Sequence, residues 1–249
     1  MHPVRRYTFG MRFVSALLLL FVAPSTPRAL AQDVQPAASV PAAKVDWKAA
    51  LEQRRQALIA ANGEGTDAAY KAALLKMRDE DQAARGLGPA QKAGAQLQIA
   101  TNLNAIDDAL TNDLKERVKA QGWPTIALVG LDASNAAMLI LTHSRDHAWQ
   151  ESMIPQLIQL ADQHKIDSTM LAILIDKQLV YSGQLQRYGT QFKRVEDGMA
   201  MYGVEDPANL DARREQLGLP PMAVYKAQLE AMYHLTATSQ IVMAPTPAK

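Results

Sequence analysis

Several polar residues in this chain sit on stripes that are otherwise apolar, at spacings that bring them to one side of a helix. Tyr70, Leu74 and Met77 recur at intervals of four and three, and the same stripe continues into Asp81 and Arg85. A second stripe reads Ile140, His143, Asp146, His147, Gln150, Ile154, Leu157, a polar island on a face that is apolar at both ends. Asp107 flanks the stripe Ile99, Leu103, Ile106, Leu110, Leu114, Val118, and Asp176 closes the run "MLAILI". Further on, "QLQRYGTQFKR" (184–194) crowds Gln186, Tyr188, Gly189, Thr190 and Gln191 together.

Burying such groups unpaired costs about 1–3 kcal/mol each, and more for charges, so each must meet a partner, water or a ligand. In the catalytic reading His143 carries the proton of a general acid–base reaction and is oriented by Asp107 or Asp176. Asp81, Arg85 and Gln150 then position a substrate that Gln186, Tyr188, Thr190 and Gln191 bind. A glycine at 189 lets backbone approach closely, the glutamines offer amides, and Tyr188 offers a stacking face and a hydroxyl. That kit suits a small polar ligand such as a cell-envelope sugar or peptide. In the structural reading Asp81 and Arg85 simply pair at i, i+4, His143 is a hydrogen-bonded core residue, and the amides staple a hairpin to the helices. Both readings stand at this point.

Other chemistries fit less well. His143 and His147 have the i, i+4 spacing of a metal pair, but Ser144 stands where the zinc-protease motif has Glu. A third ligand would have to come from Asp81, Asp107 or Asp176. The expectation is therefore no metal and no cofactor, with a metal as the minor alternative. The chain contains no cysteine, which excludes thiol catalysis and disulfides. No G-x-S-x-G elbow and no phosphate-cradling glycine loop is present.

The elements that must position these residues are mainly helical. Ala, Leu, Gln, Lys and Glu dominate, with apolar residues at three and four. The first helix is expected from Asp46, as N-cap, to Gly63, and a second over about 66–85. A long third runs from near Pro89 to "GWP" (122–124), and a fourth from after Asp132 through His143 to Pro155, which kinks or restarts it. A fifth runs from Asp167-Ser168 to about Tyr181. "QRYGTQFKRVEDGMAMYGVEDP" then alternates around Asp197-Gly198, which predicts a β-hairpin near residues 186–205. In that hairpin Tyr188, Thr190 and Phe192 share one face, and Gly189, Gln191 and Lys193 the other. One helix follows Asp206-Pro207 and another runs from "LPP" (219–221) to about His234. The expected fold class is mainly α, an irregular helical domain with one small hairpin, spanning residues 45–236 with a loose tail at 237–249.

The N-terminus reads as an address. Arg5, Arg6 and Arg12 precede "FVSALLLLFVA", and "ALA" (29–31) supplies the small residues of a signal-peptide cleavage site, placing the cut after Ala31. The apolar run is too short for a permanent membrane span. Residues 32–44, "QDVQPAASVPAAK", read as a flexible tether. Removing residues 1–31 takes away four arginines and no acids, leaving 22 Lys+Arg against 25 Asp+Glu, a net charge of −3. That mildly acidic, mixed surface argues against nucleic acid or anionic membrane as partner. The expected setting is a bacterial periplasm or the exterior.

"DQAAR" (81–85), Asp107, "LK" (114–115), "GWP" (122–124), "VG" (129–130), His143, Gln150, Asp176 and above all "QRYGTQ" (186–191) occur in that order. In this the chain resembles a bacterial domain family of uncharacterised function, over about residues 70–235. Thr142, Lys177 and Leu110 depart from the pattern, which has Gln before the His, Arg after the Asp and Asn three after Asp107. The resemblance implies a fold and a set of inward polar residues but no reaction. The reading that results is an exported protein, best taken as a periplasmic hydrolase-like enzyme built on a buried His/Asp/Gln cluster. The alternative is a non-catalytic ligand-binding or interaction module.

Overall fold

The computed structural model describes residues 46–87 and 98–244. The signal peptide and tether expected over 1–44 and the third helix's expected start at Pro89 lie outside these residues. Nine α-helices, a short 3-10 turn and a three-stranded sheet are present among the described residues.

Helix α5 (Leu131–His143) organises the rest. Its sequence, LDASNAAMLILTH, is apolar nearly all round, which suits a helix enclosed by others rather than one lying on a surface. Ala133, Ala136, Ala137, Met138, Ile140 and Leu141 are buried along it. Helices α2 (Ala68–Ala84), α3 (Leu103–Gln121) and α7 (Ser168–Tyr181) pack directly against it. Helix α6 (His147–Asp162) packs on α7, and α1 (Trp47–Asn62) joins at the short α4 (Ile126–Val129). Tyr70, Leu74 and Met77 of α2 and Leu110 and Leu114 of α3 enter the core cluster, as their spacing requires.

Aspartates start four of these helices. Asp46, Asp67 and Asp167 lie in extended backbone, and each carboxylate accepts from an N–H of the first turn it caps. Two expected boundaries differ. Residues 98–102 are not helical, and Ile99, expected on the inward stripe, is exposed, so the core side of α3 begins beyond it. The expected fourth helix, kinked or restarted at Pro155, is two, α5 and α6, separated instead at Ser144–Asp146. The Ser144 hydroxyl accepts from the Asp146 N–H, and the Asp146 carboxylate caps α6 by accepting from Trp149 N–H, 2.9 Å. Pro155 lies inside α6.

The sheet runs β1 (Phe192–Val195), β2 (Gly198–Tyr202), β3 (Ala237–Val242) in that spatial order. β1 and β2 form the hairpin, with Val195 opposite Gly198, so the two loop residues are Glu196 and Asp197 and the glycine opens β2. Gly198 has φ +139°, and a Cβ there would lie 2.1 Å from the Thr236 carbonyl, so no other residue fits. β3 pairs parallel to β2 after a crossover through α8 (Leu210–Gln216) and α9 (Met222–Tyr233). Residues 237–242, expected to be part of a loose tail, are therefore a sheet strand.

Candidate functional site

The end of α2 brings the first polar group together. Asp81 is fully buried and its Oδ1 accepts from Arg85 Nη1 at 2.8 Å. The same oxygen lies 2.8 Å from His143 Nδ1, and Oδ2 accepts from Gln82 Nε2 at 2.8 Å. Arg85 extends the cluster: its Nη2 donates to both oxygens of Asp107, at 2.8 and 3.0 Å. The i, i+4 pair foreseen from spacing is thus one edge of a larger set spanning α2, α3 and α5. His143 sits where this set meets solvent, its side chain 26% exposed against 1% for Asp81. A carboxylate only accepts, so the contact puts the imidazole proton on Nδ1 and leaves Nε2 as the free nitrogen. The orienting carboxylate is Asp81, not Asp107 or Asp176.

Two side chains close the C-terminal end of α5, whose last carbonyls lack helical partners. Gln150, fully buried on α6, donates to the carbonyls of Leu141, Thr142 and Ser144 at 2.7–3.0 Å. Its own carbonyl accepts from Gln178 Nε2. Gln150 is therefore committed to joining α5, α6 and α7 rather than facing a ligand. Lys177 Nζ donates to the same Thr142 carbonyl, a cation at a helix C-terminus. Burial pushes the Lys177 ammonium down to about 8, Arg85 adds repulsion, and Asp107 and Asp81 oppose the shift. His147, expected beside His143, begins α6 instead and stacks on Tyr181 with centroids 3.4 Å apart. Burial lowers its pKa, with Lys177 contributing. Among the described residues no three His, Asp or Glu side chains are grouped to hold a metal ion.

The "QRYGTQ" segment forms a second, separate arrangement. Residues 187–191 are not a strand arm but a bend wrapped on Asp176. The Asp176 carboxylate accepts from the N–H groups of Arg187, Tyr188 and Thr190 and from the Thr190 hydroxyl, at 2.7–3.1 Å. Burial pushes this carboxyl above the usual range, opposed by the Thr190, Tyr188 and Arg187 donors. Gln186, fully buried, donates to the Tyr202 carbonyl at 2.7 Å and accepts from Gln191 N–H at 2.8 Å, mimicking a strand across the gap. Gln191 itself donates to Ile173 O and Thr190 Oγ1. Gly189, at φ +68°, makes its close approach to Met222 and Leu210. The Tyr188 ring packs on Ala172 and Leu219 and offers no open stacking face. Behind the bend, fully buried Arg214 donates to Tyr188 O and Pro220 O and lies on the Tyr225 ring. These contacts are those of a structural staple.

The structure thus groups His143, Asp81, Arg85 and Asp107, and places Asp176, Gln186, Tyr188, Thr190 and Gln191 elsewhere. Sequence reasoning missed Lys177 as a member of the first group and Arg214 as the support of the second. Adjacent positions on α7 serve both: Asp176 holds the bend while Lys177 reaches the α5 end.

Residues 68–238 match a family described as a family of unknown function, DUF6624, and the chain belongs to it. Searches of curated proteins and of solved structures found no match.

Two outcomes test these assignments. Asp176→Asn puts an amide NH₂ among N–H donors and is expected to cost about 2–4 kcal/mol by urea denaturation. The native state sheds the Lys177 proton near 8, whereas the unfolded chain holds it to 10.5. The unfolded state then binds more protons between these values, so Lys177 contributes stability that rises with pH across that window. Relative to Lys177→Met, the wild type is expected to gain up to about 3 kcal/mol from pH 8 to 10.5 in paired denaturation curves.

Proposed function

We propose that this is an exported bacterial enzyme, hydrolase-like, in which His143 acts as general acid–base and Asp81 orients it. The observation that carries the reading is the 2.8 Å contact from His143 Nδ1 to a carboxylate that is itself fully buried and clamped by Arg85. Such a carboxylate fixes one tautomer and aims the ring, leaving Nε2 without a protein partner among the described residues. The partial exposure of His143 gives that nitrogen access to solvent.

With no cysteine in the chain and no hydroxyl bonded to His143 among the described residues, water is the nucleophile in this reading. Nε2 takes a proton as the water oxygen attacks an acyl carbon and returns it to the leaving group as that bond breaks. Asp81 stabilises the intervening imidazolium, and Arg85 holds Asp81 in place. Asp176 and the "QRYGTQ" bend hold α7 and the sheet together, so that α7 can press Lys177 onto the α5 end. Export is supported by the basic, apolar and small-residue order of residues 5–31.

The test uses the mature chain from Gln32 against a panel of cell-envelope peptides and glycan fragments. Turnover of any substrate found should fall about 100-fold or more in His143→Gln, with the folded state intact by circular dichroism. Binding of a panel member by the wild type with no turnover of any of them would make the protein a binding module instead.

A further inference from the structure

We propose that Lys177, together with Arg85, forms the receptor for an anionic group, carboxylate or phosphate, on the molecule that His143 acts on. The inference rests on the acid–base reading of His143 and names the substrate chemistry that site would take.

Its basis is a mismatch in how the charges are paired. Two carboxylates and two cations share the space where α2, α3, α5 and α7 meet, yet both carboxylates are spent on the same partners. Asp107 gives both oxygens to Arg85, while Asp81 divides between Arg85, His143 and Gln82. Lys177 makes no ion pair among the described residues, and its one acceptor there is the Thr142 carbonyl. An ammonium has three donors, so two are left over. Arg85 Nε likewise has no partner among the described residues, since both Arg85 contacts use the terminal nitrogens.

An ammonium taken largely out of water with two of its donors unmet is costly, and the Arg85 charge adds to that cost, so an anion that accepts from those donors relieves it. The depressed Lys177 agrees with this arrangement. The receptor is placed for the chemistry as well: Thr142, whose carbonyl holds Lys177, immediately precedes His143 in the chain. The charged and titratable groups around Lys177 are Asp81 and Arg85 from α2, Asp107 from α3, His143 from α5, His147 from α6 and its own neighbours Asp176 and Tyr181. None of them contacts the Lys177 ammonium directly among the described residues, and Asp81 and Asp107 act on it only at a distance.

The experiment follows the Lys177 side chain by NMR in the mature protein at pH 7. Three probes are titrated: inorganic phosphate, an N-acetylated dialanine with a free carboxylate, and the same peptide as its C-terminal amide. At least one anion should shift the Lys177 Cε signal saturably and move its titration midpoint up by about one pH unit or more. The amide should not. Lys177→Met should weaken binding about 10-fold or more, and Lys177→Arg should keep it within a few-fold. Wild type at pH 10.5, with Lys177 neutral, should match Lys177→Met, which serves if that variant does not fold. A response to phosphate alone marks a phosphate-bearing substrate, and a response to the peptide alone marks a carboxylate-bearing one. No response to either anion, or equal binding by Lys177→Met or by wild type at pH 10.5, overturns the proposal. His143→Gln should still bind the anion; unchanged turnover in that variant would remove the acid–base reading while leaving the anion site standing.

Discussion

A carboxylate with no exposure must be met by donors on every side, and Asp81 is the point where this requirement ties three helices together. It lies one turn beyond the apolar stripe of α2, so the helix that buries Tyr70, Leu74 and Met77 carries it inward whether or not it is welcome there. Arg85, Gln82 and His143 answer it, and Arg85 passes the constraint on to Asp107 of α3. Removing Asp81 would leave the His143 imidazole without its acceptor and Arg85 with Asp107 alone, which is why the cluster behaves as a unit. A set of this kind holds an imidazole in one orientation at the protein surface, and that geometry links the packing of the core to the proposed proton transfer.

Helix α7 divides two tasks between neighbouring residues. Asp176 gathers the backbone N–H groups of a bend that no strand or helix satisfies, and Arg214 supports the same bend from its carbonyl side. Lys177, about 100° further round the helix, reaches the carbonyl end of α5. The bend therefore fixes the rotation and depth of α7, and through it the position of Lys177. The densest polar motif in the sequence is the scaffold of the site rather than its lining.

The helices were readable because their causes are local. Asp46 and Asp167 stand before apolar-periodic runs in the sequence, and both cap the helices that follow them. The break at 144–146 was also encoded, in Ser144 and Asp146, but an apolar period that continues on both sides hid it. Partnerships across long separations were not readable. Nothing local says that Asp176 will collect N–H groups 11 to 14 residues away, or that Asp81 rather than Asp107 will face His143, 62 residues on. β3 failed for a similar reason. "ATSQIV" has neither alternation nor a turn beside it, and its strand exists only because β2 offers an open edge. Lys177 was noticed as a departure from the family pattern, yet its role depends on a carbonyl contributed by another helix.

The most direct test of this account is the tautomer of His143, read from the imidazole ¹⁵N chemical shifts of the mature protein at a pH where the ring is neutral, and assigned with His143→Gln. The account requires the proton on Nδ1, donated to Asp81, with Nε2 bare. A neutral ring carrying its proton on Nε2 would mean that Asp81 does not orient it as a base, and would contradict the central claim.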